Sequence, residues 1–251
     1  MRADRLRGYF DVQLRFAAVA APRADIPFID AVLRYTNFHR RFGFGAPGNE
    51  EHAADWARYT ERLSRLRTVE DAVNWTQAFY ADCPDETLPA EEKPFGCFSC
   101  NAPTDDGVIR FHFYNSDSTG GAGPLSREKM AKRQSELSAM FAHIRKAHPD
   151  AKAVHGASWL YNTEAYTRLF PEEYIRSCTS PTRPIRLNGS SSWGQFLDYR
   201  GRTKAELRAA FLSNLDQLDL AEPWRVFPLP VLFAQAPIES FYAHYGITEL
   251  A

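Results

Sequence analysis

The chain has 251 residues, 44% of them hydrophobic and 24% charged, which is the balance of a globular protein able to build a core without disulfides or metals. Its 30 Lys and Arg against 31 Asp and Glu leave a formal net charge of -1, which excludes a general nucleic-acid binder working through a basic surface excess. No apolar run reaches the roughly 18 residues of a membrane span, and 4 cysteines in so long a chain point to a reducing compartment, with the cytoplasm as the expected location.

Arg2, Arg5 and Arg7 precede an alanine-rich stretch at 16–21, but Asp11 and Arg15 interrupt the apolar run, so it is not read as a secretory leader. The first third is otherwise helical in pattern. Asp25 is placed to cap a helix with Pro27 in its first turn, and Phe28, Ile29, Val32, Leu33 and Phe38 recur at helical spacing. His39, Arg40 and Arg41 read as the solvated end of that helix, which Gly43 and Gly45 terminate. A second helix is expected over 50–67 with Trp56, Tyr59 and Leu63 inward. A third, capped by Thr68, covers 69–82 with Ala72, Trp75 and Phe79 on its apolar face. Residues 84–94 are polar and proline-bearing, and the domain boundary is placed there.

The remainder alternates. Strands are expected at 95–101 and 108–115, joined by a turn with Asp105, Asp106 and Gly107. A long helix over 126–147 carries Met130, Leu137, Met140, Phe141 and Ile144 on one face, and His148, Pro149 and Asp150 stop it. A strand at 152–160, a short helix at 163–170 and a core strand at 183–188 follow. A helix at 203–218 comes next, then a strand at 226–234 that Pro228 and Pro230 push to a sheet edge, and a closing helix at 238–245. Strand, long helix and strand form a right-handed crossover between parallel neighbours. The predicted fold is therefore α/β (α+β): a helical N-terminal region over 1–83 and a mixed-sheet domain over 95–251.

Four features carry candidate chemistry. The loop 116–124 brings Gly120, Gly121 and Gly123 before Ser126, a good N-cap. Such a loop either aims backbone N–H groups at an anion or is an ordinary turn-rich surface loop. It lacks the Walker and dinucleotide-binding glycine spacings. In the strand before it, Arg110, His112 and Tyr114 share one side. In the strand after the helix, His155 and Trp159 share a side. If the two strands are parallel neighbours, His112 and His155 meet on one face, as a general base and its partner or as packed core histidines. Cys97 and Cys100 form a lone C-x-x-C without the further ligands of a zinc site, so no metal is expected. Gly189 to Phe196 places serines and Trp193 after a strand, either as an anion nest with an aromatic wall or as a capped turn.

Residues 109–125, with His112 in the strand and Gly123-Pro124-Leu125 before the helix, resemble the C-terminal domain of GNAT-like acyltransferases. Ser158-Trp159-Leu160 and Leu169-Phe170-Pro171 are similar to that domain's second half. The resemblance spans about residues 108–195. It implies that Gly120, Gly121, Gly123 and Ser126 hold the pyrophosphate of an acyl-CoA co-substrate. It also implies that Tyr166, on the short helix, serves as a general acid. On this reading His112 or His155 deprotonates a small amine or hydroxyl acceptor and Tyr166 protonates the leaving thiolate, with Arg110, Tyr114, Trp159 and Trp193 as substrate contacts. The alternative is a non-catalytic binding or assembly protein that keeps the fold. The expected partner is a small molecule, with neither nucleic acid nor membrane; the acceptor, the acyl length and the oligomeric state are not encoded in any motif.

Overall fold

The computed structural model describes residues 2–83, 94–117, 119–182, 185–189 and 191–248. Eleven helices and four strands run through them: α1 (Arg2–Arg5), α2 (Arg7–Arg23), α3 (Phe28–Tyr35), α4 (Phe38–Arg41), α5 (Ala53–Ser64), α6 (Val69–Ala81), β1 (Phe98–Cys100), β2 (Val108–Phe113), α7 (Met130–Ala147), β3 (Ala153–Ser158), α8 (Glu164–Thr167), α9 (Glu172–Arg176), α10 (Ala205–Asn214), β4 (Leu232–Pro237) and α11 (Ile238–Tyr245). The chain divides into two compact units, Met1–Thr87 with Thr182–Pro230, and Leu88–Pro181 with Val231–Ala251. The sequence placed everything after residue 95 in one domain; the structure returns 182–230 to the helical unit. The expected linker falls largely at 84–93, outside the described residues.

The helical unit is built around α2, which the sequence analysis did not read as an element. Its hydrophobic side chains lie on most sides: Phe10, Val12, Leu14, Phe16, Ala17 and Ala20 are all fully buried. A helix buried around most of its circumference, open only along Arg7 and Arg15 and at its end, shows no clear amphipathic stripe, and the 3.6-residue pattern that reveals a surface helix is weak. Phe16 stacks on Phe211 of α10, with ring centroids 6.2 Å apart, and meets Trp193 edge-on at 5.6 Å. The helices read from the sequence are present, but the first breaks at Thr36 and Asn37 into α3 and α4, starts at Pro27 rather than from an Asp25 cap, and buries His39 instead of leaving it solvated. Thr68 caps α6, its hydroxyl accepting from the Asp71 N–H at 3.1 Å. The expected strand at 183–188 is not there: residues 185–189 are irregular chain and turn, and Arg183 and Pro184 lie outside the described residues. An apolar–polar alternation this short carries little weight without a strand beside it to pair with.

The second unit is a four-stranded sheet in the order β1-β2-β3-β4. β1 and β2 are antiparallel, β2 and β3 parallel, β3 and β4 antiparallel. Gly107 closes the β1–β2 connection with φ +80°, and a Cβ there would meet the Asp150 carbonyl oxygen at 2.9 Å, so both the backbone angle and the space call for glycine. The crossover from β2 to β3 is α7. It buries Leu137, Met140, Phe141 and Ile144 against Ile109, Phe111 and Val154, and Phe141 stacks on Phe241 of α11 at 4.6 Å. Each such side chain contributes about 1.5–3 kcal/mol of burial. β4 lies at the edge, as expected, though it begins after Pro228 and Pro230. Thr179 pairs with Phe233 along its outer side and blunts the exposed edge. No helix among the described residues is long and apolar enough to cross a membrane.

Candidate functional site

The strand register decides where the two histidines point. Arg110 of β2 stands opposite His155 of β3, and His112 opposite Ser99 of β1. Residues in register in a sheet project to the same side, so Arg110, His112 and His155 share one face. That face lies opposite the one covered by α7 and α11. Ala157, Gln235 and Phe233 continue it across β3 and β4; Arg110, His112, Ala157, Gln235 and Phe233 are all exposed. His112 shares its Nε2 proton with Asn101 Oδ1 at 2.7 Å, and the Tyr114 hydroxyl accepts from Ser99 Oγ at 3.2 Å. Although His112 is exposed, partial desolvation of its ring by the neighbouring side chains, with a smaller effect from Arg110, lowers its pKa below the ordinary imidazole range. Asp106, in the hairpin turn, is held below the usual carboxylate range first by its hydrogen bond from Thr104 and its own backbone N–H, and in small part by the charges of His155 and Arg110. No carboxylate hydrogen-bonds either imidazole among the described residues, so the base–orienter pairing of a catalytic triad is not formed there.

The glycine loop is organised around a residue the sequence analysis passed over. Gly120 and Gly121 take positive φ, 68° and 75°, and both are exposed; a Cβ at Gly120 would meet nothing within 4 Å. Gly123 and Ser126 are half-buried. Ser126 sits at the cap position of the turn Arg127–Lys129 but makes no side-chain cap bond, and its buried hydroxyl has no partner among the described residues. The anion at this helix start belongs to the chain itself. Asp117, 8% exposed, accepts from Lys129 Nζ at 2.7 Å, Lys132 Nζ at 3.0 Å, Arg133 Nη2 at 3.0 Å and the Thr119 hydroxyl at 2.8 Å. Those donors, Lys129 foremost, hold its carboxyl far below the usual range. Lys129 also donates to the carbonyls of Asp117 and Ala122, at 3.0 and 3.2 Å, which uses all three of its protons.

Arg133, fully buried, ties this loop to β1. Its Nη2 reaches Glu136 Oε1 at 2.7 Å, and its Nη1 reaches Cys97 Sγ at 2.8 Å. Glu136 in turn accepts from the Cys97 N–H at 3.1 Å. Cys97 is thus a buried anchor in an ionic network, and Cys100, half-buried, has its thiol pKa raised by burial. Neither thiol is part of a disulfide, and no group of three metal-ligating side chains is found among the described residues. The signal for this network lay in plain view. Lys129, Arg133 and Glu136 recur at the spacing of one helix face, and Arg133 precedes Leu137 by one turn on the face that packs inward.

The remaining candidates are core or turn residues. Tyr166, expected as a general acid, is 3% exposed and packs against Phe170 at 4.8 Å, Tyr161 at 5.5 Å and Phe113 at 5.6 Å. Burial, then Tyr161 and Tyr245, pushes its hydroxyl pKa well above the usual phenol range. Its apolar position makes it a core ring rather than a proton donor to solvent-borne substrate. Trp193, expected as an aromatic wall and substrate contact, belongs to the helical unit. It is fully buried there and donates its indole N–H to the Tyr35 carbonyl at 3.2 Å. Trp159 is half-buried in the turn Trp159–Asn162 that follows β3.

The two parallel strands separate along their length. The β2–β3 register covers Val108, Ile109 and Arg110 with Ala153, Val154 and His155, while β2 runs on to Phe113 and β3 to Ser158. On the core side the segment after β3 fills the divergence with rings. Phe170 meets Phe111 at 5.3 Å, and the Tyr161 and Tyr174 hydroxyls, 2.6 Å apart, lie where any Cβ at Gly156 would be. Comparisons of this chain with models of known protein families, with curated proteins and with solved structures return no match.

Proposed function

We infer that this chain is a non-catalytic binding or assembly protein that keeps an acyltransferase-like succession of strand, loop, helix and strand. The observation that carries this reading is the occupation of the loop's cations by Asp117. A pyrophosphate arriving at Gly120–Ser126 competes there with an internal carboxylate that is already desolvated and fully hydrogen-bonded, so little electrostatic gain remains for it. The burial of Tyr166 supports the same reading, because a general acid must come within hydrogen-bond reach of the group it protonates. The surface left for recognition is the uncovered sheet face with Arg110, His112, Gln235 and Phe233. The test is calorimetric titration with acetyl-CoA and longer acyl-CoAs up to millimolar, with colorimetric detection of released thiol in the presence of amine acceptors. The expected result is no saturable heat and no thiol release. Saturable binding with turnover that His112→Ala or His155→Ala removes would overturn this reading.

Acyl transfer from acyl-CoA to a small amine or hydroxyl acceptor has two observations in its favour. The parallel strands diverge toward their carboxyl ends, where α/β folds bind ligands, and a loop and long helix follow directly. The His112 pKa is lowered, the direction that favours the neutral imidazole a general base needs. The same titration decides between the two readings.

A further inference from the structure

The helical unit carries a hollow of about 310 Å³, lined by side chains of α2, α6, α10 and the Thr203 turn. That volume lies at the small end of ligand pockets, which run from roughly 300 Å³ upward. Arg7, Asp11 and Arg15 fall on one face of α2, four residues apart, and Arg208 of α10 faces them. Three arginines against the acids Asp11 and Glu70 leave the lining with one surplus positive charge.

The arginines are not equivalent. Arg7 is the most committed, with both Nη1 protons used: Nη1 donates to Asn74 Oδ1 at 2.7 Å and Gln77 Oε1 at 3.0 Å, and Nη2 pairs with Glu70. Arg15 gives only its Nε to Asp11 Oδ1, at 2.7 Å, and Arg208 gives Nε, at 3.0 Å, and Nη2 to Asp11 Oδ2. Both terminal nitrogens of Arg15 and Nη1 of Arg208 have no protein acceptor among the described residues. The two side chains remain 43% and 37% exposed, whereas Asp11 is 7% exposed. A buried carboxylate therefore holds two guanidiniums in place while leaving their outer N–H groups open, which removes in advance much of the ordering cost of a binding site. Gly8 lines the same hollow. A Cβ there would lie 2.8 Å from Thr203 Cγ2, so the helix accepts a residue that costs about 0.5–1 kcal/mol relative to alanine where the turn comes closest.

We propose that this hollow binds the phosphate group of a small phosphorylated molecule, held by Arg15 and Arg208 with Asp11 positioning both. The open donors come from two guanidiniums on separate helices, a spread that suits a tetrahedral oxyanion better than the planar fork of one carboxylate. Val73 and Ala205, apolar members of the lining, face the organic part. The site belongs to the helical unit and stands independently of the reading of the sheet face.

The experiment is calorimetric titration of the full chain with inorganic phosphate and with glycerol 3-phosphate, against sodium acetate and chloride at matched ionic strength. Saturable binding of glycerol 3-phosphate, tighter than inorganic phosphate and absent for acetate, is expected. Arg15→Gln should weaken it at least tenfold with an unchanged melting temperature, because Asp11 keeps its Arg208 partner. Arg208→Gln should weaken it as well, and Lys132→Gln, which alters the other basic cluster, should leave it intact. Heats no larger than those of chloride, or undiminished affinity in Arg15→Gln, overturn the proposal. A loss confined to Lys132→Gln also overturns it, since the anion then lies at the start of α7.

Discussion

Asp11 and Asp117 do the same thing in different surroundings: each is a nearly buried carboxylate that gathers basic side chains. Around Asp117 the partners close in. Arg133 is buried, Lys129 is 13% exposed with every proton used, and only Lys132 faces water. Around Asp11 the partners stay open, with unspent N–H groups on both arginines. The first arrangement is structural, an internal anion that neutralises the cations of a helix's first turns. The second is a surface with donors to offer. A concentration of positive side chains is therefore a poor guide to ligand binding; what matters is how many of their donors the fold has already used.

The comparison breaks most visibly at Asp117. Asp117→Asn leaves Arg133 buried with Glu136 as its remaining carboxylate, and a loss on the order of 3 kcal/mol is expected, the lower end of the cost of breaking a buried ion pair. Urea unfolding measures it, and a loss below about 1 kcal/mol would mean the cage is not closed. Asp11→Asn should cost less, about 1–2 kcal/mol, because water reaches both arginines and solvates them; an effect equal to that of Asp117→Asn would erase the distinction.

The acid limb of stability sharpens the contrast. The Asp117 carboxyl is held below its unfolded value of about 3.9, so between the two values the unfolded chain binds more protons. The stability it contributes is complete above about pH 4 and is lost as pH falls further. Asp117→Asn should flatten that limb in a series of thermal melts. Smallest is the sheet face. His112→Ala and His155→Ala, on an uncovered surface, should each shift stability by no more than about 0.5 kcal/mol, and a larger loss in either would show that the face is covered in solution. His112 has the same sign as Asp117 on a milder scale: its pKa is lowered, so any contribution it makes is lost as pH falls below about 6.5.

Much of this fold was legible residue by residue. The Thr68 cap, the glycine at position 107, the apolar face of α7 and the limits of α11 follow from spacing and backbone preference, which act within a few residues. The helix α2 was not legible, because burial on most sides blurs the periodicity that marks a helix. Among the candidate residues, the shared face of His112 and His155 followed from alternation once the strands were taken as parallel neighbours. The closed state of the glycine loop did not follow. Asp117 reads as one more polar residue among turn formers, and its significance depends on three cations from one turn of a helix further along.

The amino-acid order alone determined the element sequence of the second unit, strand, long helix, strand, and the polar character of one side of β2. These depend on local sterics and on a two- or three-residue period. Only the tertiary structure decided that Tyr166 and Trp193 are core rings, that residues 182–230 return to the helical unit, and that Asp117 satisfies its own cations while Asp11 leaves donors open. Burial and hydrogen-bond saturation are sums over neighbours far apart in the chain, and no local pattern carries such a sum.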